Sequence, residues 1–368
     1  MMSTEYFVKR SLHMRDSGAQ CVDVVGCVTD PNLQLADKHT DVIASESLRH
    51  AALRELDVYL TINDMILANP TEAKAKGASA FPKFHGYYLR KHRLHLIHEF
   101  CEEGDLITVF ENQSSVFSEN RTERQIRHIF TQICKGLSFL HTMCGIAHLD
   151  LSLENVLLTE SGNIRICDFG HSERIGRSAM SDEARKLWPK SIGKRAYAAP
   201  ELHEDCSVDG EKVDAWSLGV ILYILVTRVS LFQVATVEDL TFCHMIKYGS
   251  KCALKRTGHL DTVSPLLVDL IASLLVIDPT ERMTVDSALR HPWITSYNTK
   301  RSIVRRTPAR RRLLSSSSFQ PRCALQLKQA SEGNRSRSCS ESNEDTSIAK
   351  RDRSCGMTRH SYGAVLCV

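Results

Sequence analysis

The chain has 368 residues, of which 42% are hydrophobic, 24% charged and 7% aromatic. This balance belongs to a globular protein with a large core, and it excludes a small disulfide scaffold, a collagen-like repeat and a wholly disordered chain. The formal net charge is +4, yet from Thr299 onward the chain holds 15 of the 47 Lys and Arg against 5 of the 43 Asp and Glu, so an acidic body carries a basic tail. An acidic body argues against direct binding of nucleic acid, whose phosphates demand a basic surface.

The 13 cysteines are scattered from Cys21 to Cys367 with no C-x-x-C pair. That pattern suits free thiols in a reducing compartment better than a zinc site or a disulfide framework. The stretch Met1 to Arg15 has no apolar run of signal-peptide length. Ala215 to Phe232 is short, follows Asp214 and contains Arg228, so it is expected to be a buried core helix rather than a membrane span. The ending Leu366-Cys367-Val368 lacks the cysteine four from the end that prenylation needs. No membrane association is expected.

Short β-like runs come first, at Cys21 to Val28 and Leu94 to Phe100. Between them, Ser45 to Ile66 sets Leu48, Ala52, Leu56, Tyr59 and Leu60 at helical spacing. One helix among strands predicts a small α+β lobe. Beyond Leu106 the periodicity is mostly helical, at Arg124 to His141, Asp214 to Val226 and Pro265 to Leu275, with a loop-rich stretch from His148 to Glu201 interrupting it. Past Tyr297 the composition turns Ser/Arg-rich, through Arg310-Arg311-Arg312 and Ser315 to Ser318. Such a segment cannot bury enough apolar surface to offset its ordering entropy and is expected to be disordered.

The loop-rich stretch concentrates the polar residues that carry chemistry. It opens with His148-Leu149-Asp150-Leu151-Ser152-Leu153-Glu154-Asn155 and a strand Val156-Leu157-Leu158. A second strand, Ile164 to Cys167, runs into Asp168-Phe169-Gly170, and Tyr197-Ala198-Ala199-Pro200-Glu201 closes the segment. With Asp214-x-Trp216-Ser217-x-Gly219 and Asp278-Pro279-x-x-Arg282, this order and spacing resembles the protein kinase family over roughly residues 6 to 296. An isolated Asp at a strand end is more often a turn residue; the full constellation is not explained that way.

The resemblance implies a two-lobed α+β kinase fold: an N-lobe over 1–100, a helical C-lobe over 101–297 and a disordered basic tail over 298–368. It implies ATP and Mg²⁺ as cofactors, with serine or threonine hydroxyls of proteins as acceptors. Asp150 is then expected to orient the acceptor hydroxyl and take its proton, while Asn155 and Asp168 hold metal through oxygen atoms. Lys38 falls at the strand lysine that contacts the phosphates, and Glu55 at its helical partner. Glu99 and Cys101 fall at the hinge that meets adenine, and Gly18 in the phosphate loop. Asp105 falls at the edge of the cofactor site, where it also matches an acidic position that meets substrate arginine in basophilic kinases, as does Glu154. His98 takes the gatekeeper position, where an apolar residue is more usual. The ending His291-Pro292-Trp293-Ile294 resembles the calcium/calmodulin-dependent group.

Several positions depart from the family pattern. Ser11 to Cys21 offers only Gly18 where three glycines are usual, which weakens the expected backbone grip on phosphate and makes a pseudokinase or scaffold the alternative. Leu149 replaces the arginine that binds an activation-loop phosphate, so control by loop phosphorylation is not expected. Ser152 stands where a lysine is usual, and Lys194, after Gly193, where a threonine is usual. The two chemical types look exchanged, with Lys194 expected to supply the cation beside the γ-phosphate and Ser152 the hydroxyl. Arg312-x-x-Ser315 is a candidate phosphorylation site, and the basic tail suits nuclear targeting of an otherwise cytoplasmic protein or docking to an acidic partner.

Overall fold

The structure is a computed structural model that describes residues 6–15, 18–111, 122–176, 194–203 and 208–296. The Ser/Arg tail, its Arg312-x-x-Ser315 site and Gly193 lie outside the described residues. Among those described, no helix is long and apolar enough to cross a membrane.

The first part of the chain is an antiparallel sheet of five strands: β1 (Tyr6–Arg15), β2 (Gln20–Cys27), β3 (Asp30–Asp41), β4 (Phe84–Arg90) and β5 (Arg93–Glu99), ordered β1-β2-β3-β5-β4. Between β3 and β4 lies α1 (Glu46–Ala68). Ser45 starts it by accepting the Leu48 amide, with Glu46 in the first turn where the helix dipole favours an acid. Its fully buried stripe is Ala52, Glu55, Val58, Tyr59 and Ile62. The apolar periodicity thus finds the helix but not its innermost line, which carries a carboxylate among hydrophobic neighbours. A second helix, α2 (Pro70–Lys76), follows at once, so the single helix expected between the strands is two. Asn69 caps the new helix through Glu72, and Pro70 occupies its first turn, where a missing N–H costs nothing.

The following part is mainly helical. A short strand β6 (Gly104–Asp105) leads into α3 (Leu106–Glu111), and α4 (Glu123–Thr142) opens with a capping box between Thr122 and Gln125. The strand β7 (Ile146–Ala147) precedes the polar loop, and β8 (Val156–Leu158) and β9 (Ile164–Ile166) form a hairpin beside β6. The two-residue β10 (Glu173–Arg174) pairs back onto β7. Farther on come α5 (Gly210–Thr227), α6 (Leu240–Tyr248), α7 (Ser250–Arg256) and α8 (Pro265–Leu274), with short helices Val285–Arg290 and Pro292–Thr295 at the end. Asp209 caps α5 through two amides, and the helix is buried from Val213 to Leu225. Its apolar residues go all the way round because it packs on every side within the core, not across a bilayer.

One ion pair braces this helical part. The Arg282 guanidinium meets Glu201 at 2.6 and 2.9 Å and donates to the carbonyls of Val276, Lys212 and Ile277. Trp216 lies against its face, with the ring centroid 5.0 Å from Cζ. Every direction of the planar fork is used. Removal of either charge would strand the other in a dry interior, at a cost of about 3–5 kcal/mol.

Candidate active site

The β8–β9 hairpin explains why two distant motifs meet. Val156 pairs with Ile166, so Asn155 sits just before one strand and Asp168 just past the other. The Cys167 amide donates to the Asn155 carbonyl at 3.0 Å, which fixes the two termini side by side. The Asn155 side chain is oriented from its amide end, where Nδ2 donates to the Asp150 carbonyl at 2.7 Å and to Asp150 Oδ2 at 3.2 Å. Its Oδ1 points away from the Asp150 backbone and accepts from Lys194 Nζ at 3.3 Å.

The loop carrying Asp150 is shaped by Asp214 on α5, a fully buried carboxylate. It accepts the amides of His148 at 2.7 Å and Leu149 at 2.8 Å, and meets His141 Nε2 at 2.8 Å. Leu149 has φ +63°, a left-handed conformation that a γ-branched side chain takes only when its surroundings enforce it. The paired hydrogen bonds to Asp214 supply that enforcement. His148 Nε2 donates to the Cys167 carbonyl at 3.1 Å, and its Nδ1 accepts the Asp150 amide at 3.3 Å. Burial holds this imidazole below its ordinary pKa, against the pull of Asp214 and Asp150, so the neutral tautomer that both contacts require is the stable one.

Three charges join three elements. Lys38 Nζ on β3 lies 2.7 Å from Glu55 Oε2 on α1 and 2.8 Å from Asp168 Oδ1. Burial alone would lower the lysine's pKa, but the carboxylates of Asp168 and Glu55 push it above its ordinary value. Glu55 is also raised above its ordinary value, by burial, with Lys38 pulling it back. Asp168 has φ +66°, and its neighbour Phe169 is buried against Tyr59, Phe81 and His148. Two further contacts tie α1 to this segment: Arg54 donates to the Gly170 carbonyl at 2.7 Å, and Arg174 meets Asp57 at 2.9 Å. Neither had a recognisable spacing in the sequence.

Asp150 sits between Lys194 and His171. Lys194 Nζ is 2.5 Å from its Oδ2, and His171 Nδ1 is 3.5 Å from the same atom. Burial raises the carboxyl's pKa, but the hydrogen bond from His171 and the charge of Lys194 hold it below its usual value. Lys194 is depressed by burial yet raised overall by Asp150 and Asp168. Ser152 is buried, and no hydrogen bond joins it to Lys194 among the described residues. His171 was missed by the sequence reading, since nothing in its spacing marks it.

The remaining expected site residues are placed as follows. Gly18, with φ +95°, lies between β1 and β2, and Arg93 donates to its carbonyl. Cys101 is buried. The Glu99 side chain is taken by Arg165, at 2.8 and 2.9 Å, and its backbone amide donates to the Lys83 carbonyl at 2.9 Å. Asp105 accepts the Thr108 amide at 2.7 Å and the Thr108 hydroxyl at 2.9 Å, so it caps α3. Glu154 Oε2 is buried without a hydrogen-bond partner among the described residues, and burial raises its pKa.

The oxygens of Asp168 and Asn155 are hard donors. This suits Mg²⁺, which binds through one or two protein oxygens and completes its shell with phosphate and water. The ammonium of Lys38 beside Asp168 suits the phosphates themselves.

A sequence model of the protein kinase domain matches residues 39–294, more than half of the chain, and the chain belongs to that family. The match begins one residue past Lys38, leaving β1, β2 and most of β3 outside it. Among curated proteins, the serine/threonine-protein kinase kin-29 of Caenorhabditis briggsae is 35% identical over 205 residues, covering 56% of this chain and 23% of that one. The serine/threonine-protein kinase chk1 of Schizosaccharomyces pombe is 32% identical over 198 residues, covering 54% and 37%. Calcium-dependent protein kinase 29 of Arabidopsis thaliana is 36% identical over 217 residues, covering 58% and 37%. The matched segment thus spans well under half the length of each of these relatives.

Burial, with a smaller push from Lys38, takes His98 down to a pKa of about 3. Its unfolded value is near 6.5. Between these values the unfolded chain binds the extra proton and the folded one does not, so stability falls as pH falls, by up to about 1.4 kcal/mol per pH unit. Urea denaturation at pH 7 and pH 5 is expected to show the wild type losing stability relative to His98→Leu. Parallel losses in the two proteins would contradict the assignment.

Proposed function

We propose that this chain is a serine/threonine protein kinase that transfers the γ-phosphate of ATP to a protein hydroxyl. The observation that carries the reading is the joint placement of Lys38, Glu55 and Asp168 in one ion cluster, beside Asp150 and Asn155 on a rigid loop. Mg²⁺, when bound, neutralises phosphate charge and bridges the phosphates to the protein. Lys38, held by Glu55, orients the α/β-phosphates. Asp168 and Asn155 present the oxygens for metal. Asp150 positions the acceptor hydroxyl and takes its proton as the oxygen attacks.

Lys194 supplies the cation beside the transferred group, in place of the lysine that Ser152 replaces. Its contacts with Asp150 and Asn155 support this half of the exchange; Ser152 acts as a small buried loop residue. Substrates carry arginine near the acceptor, because Glu154 has a buried oxygen without a hydrogen-bond partner among the described residues and a guanidinium would satisfy it. The rival reading is a pseudokinase or scaffold, which the single glycine of the phosphate loop favours.

A thermal-shift titration of the full chain with ATP, with and without Mg²⁺, separates these. The kinase reading expects a Mg²⁺-dependent rise in melting temperature that Asp168→Asn abolishes, since a ligand that binds the folded state must stabilise it. No shift at millimolar ATP would favour the scaffold. In peptide phosphorylation, Lys194→Ala is expected to lower kcat by about 10²–10³-fold with little change in KM. Unchanged turnover would remove the role given to Lys194.

A further inference from the structure

The sheet carries a second set of polar side chains on the face away from the ion cluster. On β5, Arg93 lies opposite Asp41 of β3 and His95 opposite His39, whereas Lys38 lies opposite Leu96. Alternate residues of a strand fall on opposite faces, so Arg93, His39 and His95 share the face that Lys38 does not. There the Arg93 Nη1 donates to His39 Nδ1 at 2.8 Å, and its Nη2 donates to the Gly18 carbonyl. Arginine can only donate. His39 Nδ1 is therefore the acceptor, and Nε2 carries the proton that is given to Asp23 Oδ2 at 3.0 Å. The Ser11 hydroxyl donates to Asp23 Oδ1 at 2.6 Å, and the His39 ring stacks on His95 with 4.9 Å between centroids. The guanidinium is thus fixed in place by residues of β1, β2, β3 and β5.

The free end of this chain of contacts is the turn between β1 and β2, which the pair Arg15 and Gln20 closes. Besides Arg93, the Cys21 thiol donates to the Gly18 carbonyl, at 3.4 Å, and the Asp41 amide donates to the Ala19 carbonyl at 2.7 Å. Two consecutive carbonyls are held by the sheet. In a trans peptide the N–H points opposite to the C=O, and no peptide bond among the described residues is cis. Gripping the Gly18 carbonyl therefore aims the Ala19 N–H away from the guanidinium, and backbone N–H groups of turns are donors to anions. We propose that Arg93 is a positioning residue, which, held by His39, sets the Gly18–Ala19 peptide so that its N–H meets a phosphate of the bound nucleotide.

This inference rests on the nucleotide-binding reading of the same site and adds what holds a turn that has one glycine instead of three. A glycine-rich turn loses much conformational freedom when a ligand orders it. A turn already tied by side chains loses less, and binding is stronger by the difference. Arg93 touches no reacting atom; its effect reaches the nucleotide through the backbone and concerns phosphate, not base.

The test measures equilibrium binding of ATP with Mg²⁺ and of adenosine, which has the base but no phosphate, to the full-length wild type, Arg93→Gln, Arg93→Lys and His39→Phe. Arg93→Gln is expected to weaken ATP about tenfold and to leave adenosine unchanged. In peptide phosphorylation its KM for ATP rises by a similar factor with little change in kcat. Arg93→Lys, which can reach one of the two acceptors but not both, and His39→Phe, which keeps the ring stack but loses the acceptor, are expected to give smaller losses of the same kind. They also keep the comparison alive if Arg93→Gln fails to fold. Unchanged ATP affinity in the variants, or equal losses for ATP and adenosine, overturns the role of Arg93 and leaves the nucleotide site standing. Absence of binding of both ligands to the wild type overturns the nucleotide reading and this inference with it.

Discussion

The ammonium of Lys38 between two carboxylates is the interaction on which the site depends. Its three charges come from β3, from the helix α1 and from the end of β9, three elements that share no local sequence. A buried cation with one acid would be a marginal arrangement, because desolvation opposes the Coulombic gain. With Glu55 and Asp168 both within 2.8 Å, the lysine stays charged, and the helix must sit where its innermost stripe can deliver a carboxylate. The rest of that stripe, Ala52, Val58, Tyr59 and Ile62, is apolar and is held by packing. Electrostatics thus fixes the rotation of α1 while hydrophobic burial fixes its position.

The loop opposite is fixed by a different device. Asp214 gathers two consecutive amides and an imidazole, so a single carboxylate inside the core dictates the backbone path on which Asp150 rides. Where an arginine would have faced outward to a phosphate, Leu149 is buried. The contacts of Arg54 with Gly170 and of Arg174 with Asp57 then link α1 to the segment after Asp168 using residues of the chain alone.

Much of this was legible in the sequence, for physical reasons. Apolar spacing exposed α1, α4, α5 and α8 because each buries a continuous stripe or its whole surface. The motif blocks exposed the β8–β9 hairpin, since an apolar run that begins after Asn155 and one that ends before Asp168 bring those two residues together when they pair antiparallel. Other features were hidden. The break between α1 and α2 rests on Asn69-Pro70, a local signal easily lost inside a long helical pattern. The approach of His171 to Asp150, and of Arg93 to the Gly18 carbonyl, comes from tertiary folding and has no period to read. Exchange of chemical type between positions 152 and 194 suggested a meeting of two side chains, but the structure brings only Lys194 to Asp150 and Asn155. Ser152 is buried in the loop with no hydrogen bond to Lys194 among the described residues.

The central claim is that a chain with a depleted glycine loop still performs phosphoryl transfer, relying on the ion cluster and the rigid Asp150 loop. The most direct measurement is phosphate transfer from ATP to a library of serine peptides with and without arginine, catalysed by the unphosphorylated full chain and by Asp150→Asn, with products located by mass spectrometry. The account expects phosphoserine in the arginine-containing peptides, formed at least about 10²-fold more slowly by the variant. Phosphorylation at equal rates by both proteins, or by neither, would contradict it.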